Sequence, residues 1–216
     1  MKPDSILLWI AQDELQLLPQ RVRDLEHDGV QIRGCADIGS YKKLIYALEE
    51  QPDSYIATAD DDLFYGPDWL AAMVDATDPE QPCILCHRAH RVAVQADGRI
   101  APYLEWQLDV RDERARLPSA DIMPTTGAGV LYPPNCFSRE VTERPLFQAL
   151  CPTADDLWFY WMARKAGSKF KKVGPAFPMV LWPTFDRASL ATGNWAGGND
   201  RQIRKLEETF GNPLYL

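Results

Sequence analysis

The chain has 216 residues, of which 46% are hydrophobic and 25% charged, and this composition excludes a mostly disordered or fibrous protein. Asp and Glu outnumber Lys and Arg by 31 to 23, a formal net charge of -8. An acidic chain of this kind is a poor sequence-independent partner for nucleic acid, which needs phosphate-neutralising cations. In chain order, SILLWI (Ser5 to Ile10) reads as a buried strand, and LLPQRVRDLEHDG as a helix stopped by Gly29. VQIRGC (Val30 to Cys35) is the next strand, and YKKLIYALEE a helix with Leu44, Ile45 and Leu48 on one face. SYIATA (Ser54 to Ala59) is a third strand running into Asp60-Asp61-Asp62. This alternation argues for βαβ units and a parallel sheet, with the three aspartates at a carboxyl strand end, where such sheets bind ligands.

A helix over PDWLAAMVDA, a strand around CILCHRAHRVAV and a hairpin turn at Asp97-Gly98 follow. Leu104 to Asp121 is highly charged and expected to be exposed. TTGAGVLYPP (Thr125 to Pro134) carries two glycines into a strand, Thr153 to Gly167 reads as a helix, and SKFKKV as a last strand. The tail holds FDRASLATGNWAGGND, by default a plain surface connection and otherwise a loop able to close as a lid, and a short amphipathic helix, DRQIRKLEETFG. No repeat or interdomain linker appears, so residues 1–216 are expected to form one domain. Five irregularly spaced cysteines suit a reducing compartment, and Cys83 and Cys86 form a lone CxxC without the second pair of a zinc site. No signal peptide or membrane-spanning stretch is expected.

Three segments carry candidate chemistry. Adjacent carboxylates repel, and a hard divalent cation relieves that repulsion; in an extended chain Asp60 and Asp62 project to one side and Asp61 to the other. A solvated acidic turn is the alternative. In PTADDLW, Thr153 and Asp156 match a capping box, yet a carboxylate in a first helical turn can also serve as a base. Gly127 and Gly129 either let backbone approach a ligand or simply bend the chain into its strand. His87, Arg88, His90 and Arg91 form a surface face or a clamp on anionic phosphate.

ATADDD after a strand, TGAGVLYPP in mid-chain and ADDLWF opening a later helix resemble the bacterial GT-A glycosyltransferases of the family 2-like group. LCHRAHRV, PYLEW and the tail NWAGGNDRQ fit the same group, so the resemblance runs from about Lys2 to the last helix. It implies an α/β fold of GT-A type, a central mainly parallel sheet flanked by helices. It implies a metal-assisted, inverting transferase that moves a sugar from a nucleotide-sugar donor to a hydroxyl of a lipopolysaccharide or capsule acceptor. Asp60 and Asp62 match the DxD that holds Mn²⁺ or Mg²⁺, Asp156 the catalytic base and Asp155 the first acid of that pair. The donor would meet Asp61, His87, Arg88, Asn199 and Asp200; the acceptor would meet Gly127, Gly129, Trp158 and Trp195. The work of such an enzyme is cytoplasmic, compatible with peripheral association at the inner face of the membrane. Relatives begin with a further strand and helix bearing a SLTSYPxR-like segment that helps bind the base, so the domain is expected to be N-terminally shortened. Relatives also carry a late metal-binding His, whereas no His follows His90 here. A truncated, non-catalytic glycan- or nucleotide-binding homologue is the alternative; a phosphohydrolase is disfavoured, because Leu63-Phe64-Tyr65 stand where such enzymes place a Thr soon after the acid pair.

Overall fold

The computed structural model describes residues 1–174, 176–182 and 193–216. It is a mixed α/β structure in which three small sheets are covered by helices. Strand β1 (Ile6–Ala11) pairs in parallel with β2 (Val30–Cys35), Ile6 opposite Val30. The helix expected between them is broken. Pro19 forces Leu18 into an extended conformation, ψ 128°, so the segment folds as two 3₁₀ turns around the single turn α1 (Gln20–Arg23). Gly29 ends it at φ 92°, where a glycine costs nothing.

Helix α2 (Lys42–Glu50) buries Leu44, Ile45, Tyr46 and Ala47 against the core, with Leu48 packed at its edge. It leads to β3 (Ile56–Thr58), an edge strand of a four-stranded sheet. Strand β7 (Val130–Tyr132) runs antiparallel between β3 and β4 (Ile84–Cys86), and β4 pairs in parallel with β8 (Phe170–Lys172). Parallel pairing is thus confined, among the described strands, to β1–β2 and β4–β8. Strand β3 is shorter than expected because its partner begins at Val130, preceded by Gly129 at φ 99°. Pairing therefore stops at Thr58, and Asp60 emerges as the chain leaves the sheet.

Helix α3 (Trp69–Asp75) packs on this sheet through Met73. The run CILCHRAHRVAV, expected as one strand, is two. The chain leaves β4 at His87 and enters β5 (Ala89–Arg91), which pairs antiparallel with β6 (Ile122–Pro124). The turn at Asp97-Gly98 is present, with the Gln95 N–H donating to the Arg99 carbonyl and Gly98 at φ 86°. The charged stretch after Leu104 is not simply exposed: Trp106, Val110 and Ala115 enter the core, while Arg91–Asp112 and Arg114–Asp121 ion pairs lie outside.

Helix α4 (Arg144–Leu150) precedes α5 (Asp155–Lys165), the central helix. Leu157 to Ala163 of α5 are all buried, as an apolar circumference requires. Helix α6 (Asn199–Phe210) lays Ile203 and Leu206 onto the core. No helix among the described residues is long and apolar enough to cross a membrane.

A carboxylate site closed by a lysine

Three segments far apart in the chain meet beyond the end of β3. Asp60 comes from the strand end, Thr126 and Gly127 from the 3₁₀ turn before β7, and Asp155 and Asp156 from the first turn of α5. Their common neighbour is Lys43. Its ammonium donates to Asp60 Oδ1 at 2.6 Å and to Thr126 Oγ1 at 3.0 Å, and lies 3.4 Å from Asp155 Oδ2. Burial works against the Lys43 charge, but Asp155, Asp60 and Asp156 outweigh it and hold its pKa above the usual lysine value. The lysine is locked in the charged form.

Asp156 is half-buried, and its Oδ1 accepts the Thr126 N–H at 2.9 Å. Burial, with the neighbouring Asp155 charge adding to it, pushes its pKa to about 6, although Lys43 and Thr126 pull the other way. A small cavity lined by Tyr132, Phe159, Tyr160 and Phe170 adjoins this carboxyl and keeps its surroundings apolar. A carboxylate with a pKa this close to neutrality accepts a proton more readily than an ordinary aspartate. Asp62, also half-buried, is pushed upward by burial and by the charges of Asp60 and Asp61, while Asp61 itself is exposed.

Backbone contacts fix the geometry. The Asp60 N–H donates to the Tyr65 hydroxyl at 2.7 Å, and that hydroxyl donates to the Gly127 carbonyl at 2.7 Å. A Cβ on Gly127 would stand 3.0 Å from Asp60 Oδ2, so the glycine lets the turn close on this carboxylate. Gly129 serves packing instead. At φ 99°, a Cβ there would overlap the Trp69 indole at 2.3 Å, and that indole donates to the Ala128 carbonyl.

The expected capping box does not form: α5 is capped at Ala154 without a side-chain bond. Thr153 instead donates its hydroxyl to Asn194 Oδ1, in the turn before α6, and its N–H to Gln202 Oε1 of α6. Two corrections concern ligand contacts. Trp158, expected to face an acceptor, is fully buried and donates its indole N–H to the Val141 carbonyl. His87 is also buried, with Nε2 2.9 Å from the Trp69 carbonyl in an aromatic cluster with Trp69 and Phe177, and burial lowers its pKa. Arg88 lies nearer the site, donating to Thr125 Oγ1 at 3.2 Å and facing Asp109. Asn199 is buried, Asp200 accepts the Tyr103 N–H, and Trp195 is 57% exposed. Asn194 to Gly198 form a kinked turn, with Gly197 at φ 91°, that Asn194 ties to the Thr153 carbonyl; residues 185–192 of the expected lid lie outside the described residues.

Lys43, Tyr65 and Thr126 were not among the expected site residues. Among the described residues, no group of three or more His, Cys, Asp or Glu side chains is placed to hold a metal ion. No model of a known protein family matches the chain, and no curated protein matches it either.

Proposed function

We propose that this chain transfers a sugar from a nucleotide-sugar donor to a hydroxyl of a surface-glycan acceptor, on an α/β frame of GT-A type. One observation carries the reading. The three segments whose sequences resemble GT-A motifs converge on a single site, with Asp60 beside Gly127 and Asp156 bonded to Thr126. In this reading Asp156 takes the acceptor proton as the glycosidic bond forms, aided by its raised pKa. The Thr126 N–H holds the Oδ1 oxygen of that carboxylate and so orients the base. Attack with this base on the face opposite the leaving group inverts the anomeric centre.

The divalent ion that the resemblance implies suits the outer acids. Asp62 and the Asp60 oxygen that Lys43 does not take are hard donors, and the upward shift of Asp62 is relieved by a nearby cation. Mn²⁺ or Mg²⁺, if held by Asp60 and Asp62, would offset charge on the nucleoside diphosphate. Arg88 is a further positive charge toward the diphosphate, and exposed Trp195 a surface for the acceptor. Such donors place the reaction in the cytoplasm.

The test is nucleoside diphosphate release from a panel of nucleotide-sugars. Asp156→Asn is expected to lose roughly a hundredfold to ten-thousandfold in rate while donor binding survives. Turnover unchanged by that substitution refutes the assignment of the base. Donor binding without any turnover by the wild-type chain points to a binding homologue instead.

A further inference from the structure

We propose that Lys43 is a positioning residue: its ammonium is the built-in cation of the inner carboxylates Asp60 and Asp155, and it keeps any divalent ion on the outer side of the acid run. The proposal rests on the reading of this site as a transferase centre.

The argument begins with charge. Asp60 arrives from a strand end and Asp155 from a helix start, and Asp155 is only 7% exposed. Two carboxylates brought together away from water need a positive charge between them. Asp155 Oδ2 has no hydrogen-bond partner among the described residues, and the charge facing it is the Lys43 ammonium, 3.4 Å away. On its other side the same ammonium is bonded to Asp60 Oδ1 at 2.6 Å. A divalent ion bridging Asp60 to Asp155 would have to enter the space this ammonium fills, and two such cations cannot share it.

The lysine cannot easily withdraw. It sits in the first turn of α2, directly before Leu44 and Ile45, both fully buried, so the base of its side chain is anchored in the core. Its third contact, to Thr126 Oγ1, ties it to the residue whose own backbone N–H orients Asp156, so one ammonium sets the distance between the strand-end acid and the base. Lys42, its neighbour, leads away to Asp37 and takes no part.

Two measurements use no sugar donor, so they report on Lys43 even in a chain that transfers nothing. In the first, Mn²⁺ alone is titrated into the wild type, Lys43→Met and Lys43→Arg, with free ion read by electron paramagnetic resonance. Removing the ammonium should tighten Mn²⁺ binding by about tenfold or more, and Lys43→Arg should stay near the wild type. Equal or weaker binding by a folded Lys43→Met overturns the proposal. Should that variant fail to fold, the second measurement decides on the wild type. Reductive methylation followed by mass spectrometry should leave Lys43 protected, both with and without saturating Mn²⁺. Methylation of Lys43 that appears on adding Mn²⁺ shows that the ion displaces it, and this overturns the proposal.

Discussion

Asp156→Asn should stabilise the protein while disabling it. In the folded chain the Asp156 carboxyl titrates at about 6, against an ordinary value of 3.8. Between those two values the folded state binds more protons than the unfolded one, so stability falls as pH rises through the window. Above about pH 6 the full effect is present, and at roughly 1.36 kcal/mol per pKa unit it amounts to about 3 kcal/mol. Asn has the same shape, carries no charge, and its Oδ1 can still accept the Thr126 N–H at 2.9 Å. The substitution therefore removes the charge penalty and keeps the bond. Urea unfolding at about pH 8 should show the variant more stable by about 2–3 kcal/mol, a midpoint shift near 1 M for an ordinary urea slope. At about pH 4 the two proteins should coincide. A variant that is less stable than the wild type by the same amount at both pH values refutes the reasoning, because Asp156 would then be a structural acceptor rather than a strained acid.

Gly129→Ala should be strongly destabilising: the φ of 99° costs about 1–2 kcal/mol with a side chain, and the Trp69 indole must also give up its bond to Ala128. A calorimetric melting temperature lowered by roughly 8 °C or more is expected, and a change within about 2 °C contradicts the packing account. Gly127→Ala should behave differently, since its Cβ meets a rotatable carboxylate at 3.0 Å: stability within about 1 kcal/mol of wild type, and sharply weakened Mn²⁺ binding through Asp60. Arg164→Met should cost about 3 kcal/mol in chemical denaturation, because the buried guanidinium serves the carbonyls of Pro213 and Ser168, which would be left unpaired.

The elements that sequence periodicity reveals are those with short-range causes. VQIRGC matches β2 residue for residue because alternation and the stop at Gly29 are local facts. Pro19 was equally local, and it explains why the expected first helix is broken; the apolar repeat around it masked the signal. LWFYWMA, apolar around its whole circumference, marks a buried helix, and that pattern places Trp158 in the core rather than at a ligand. The acids were legible because clustered charge needs an explanation wherever it falls. Lys43 was not: a lysine in the first turn of an amphipathic helix reads as solvated, whereas Lys42 and Lys43 are both half-buried and ion-paired. Only the closure of an 83-residue separation onto Thr126 turns it into the hub of the site.

That separation has a kinetic consequence. The Lys43–Asp60 pair spans 17 residues, Thr126–Asp156 spans 30 and Lys43–Thr126 spans 83, so the cluster assembles only after long loops have closed. Until the ammonium is seated, the approaching acids repel one another, and nothing favours gathering them early. The cluster is then a late product of folding, absent from the nucleus, and its bonds act mainly as a brake on unfolding. Loss of the Lys43 contact should steepen the escape from the native state while leaving the rate of entry almost untouched, a difference visible in the two arms of a chevron plot. The residues that would act on a substrate are, on this account, also the clasp that is fastened last and released first.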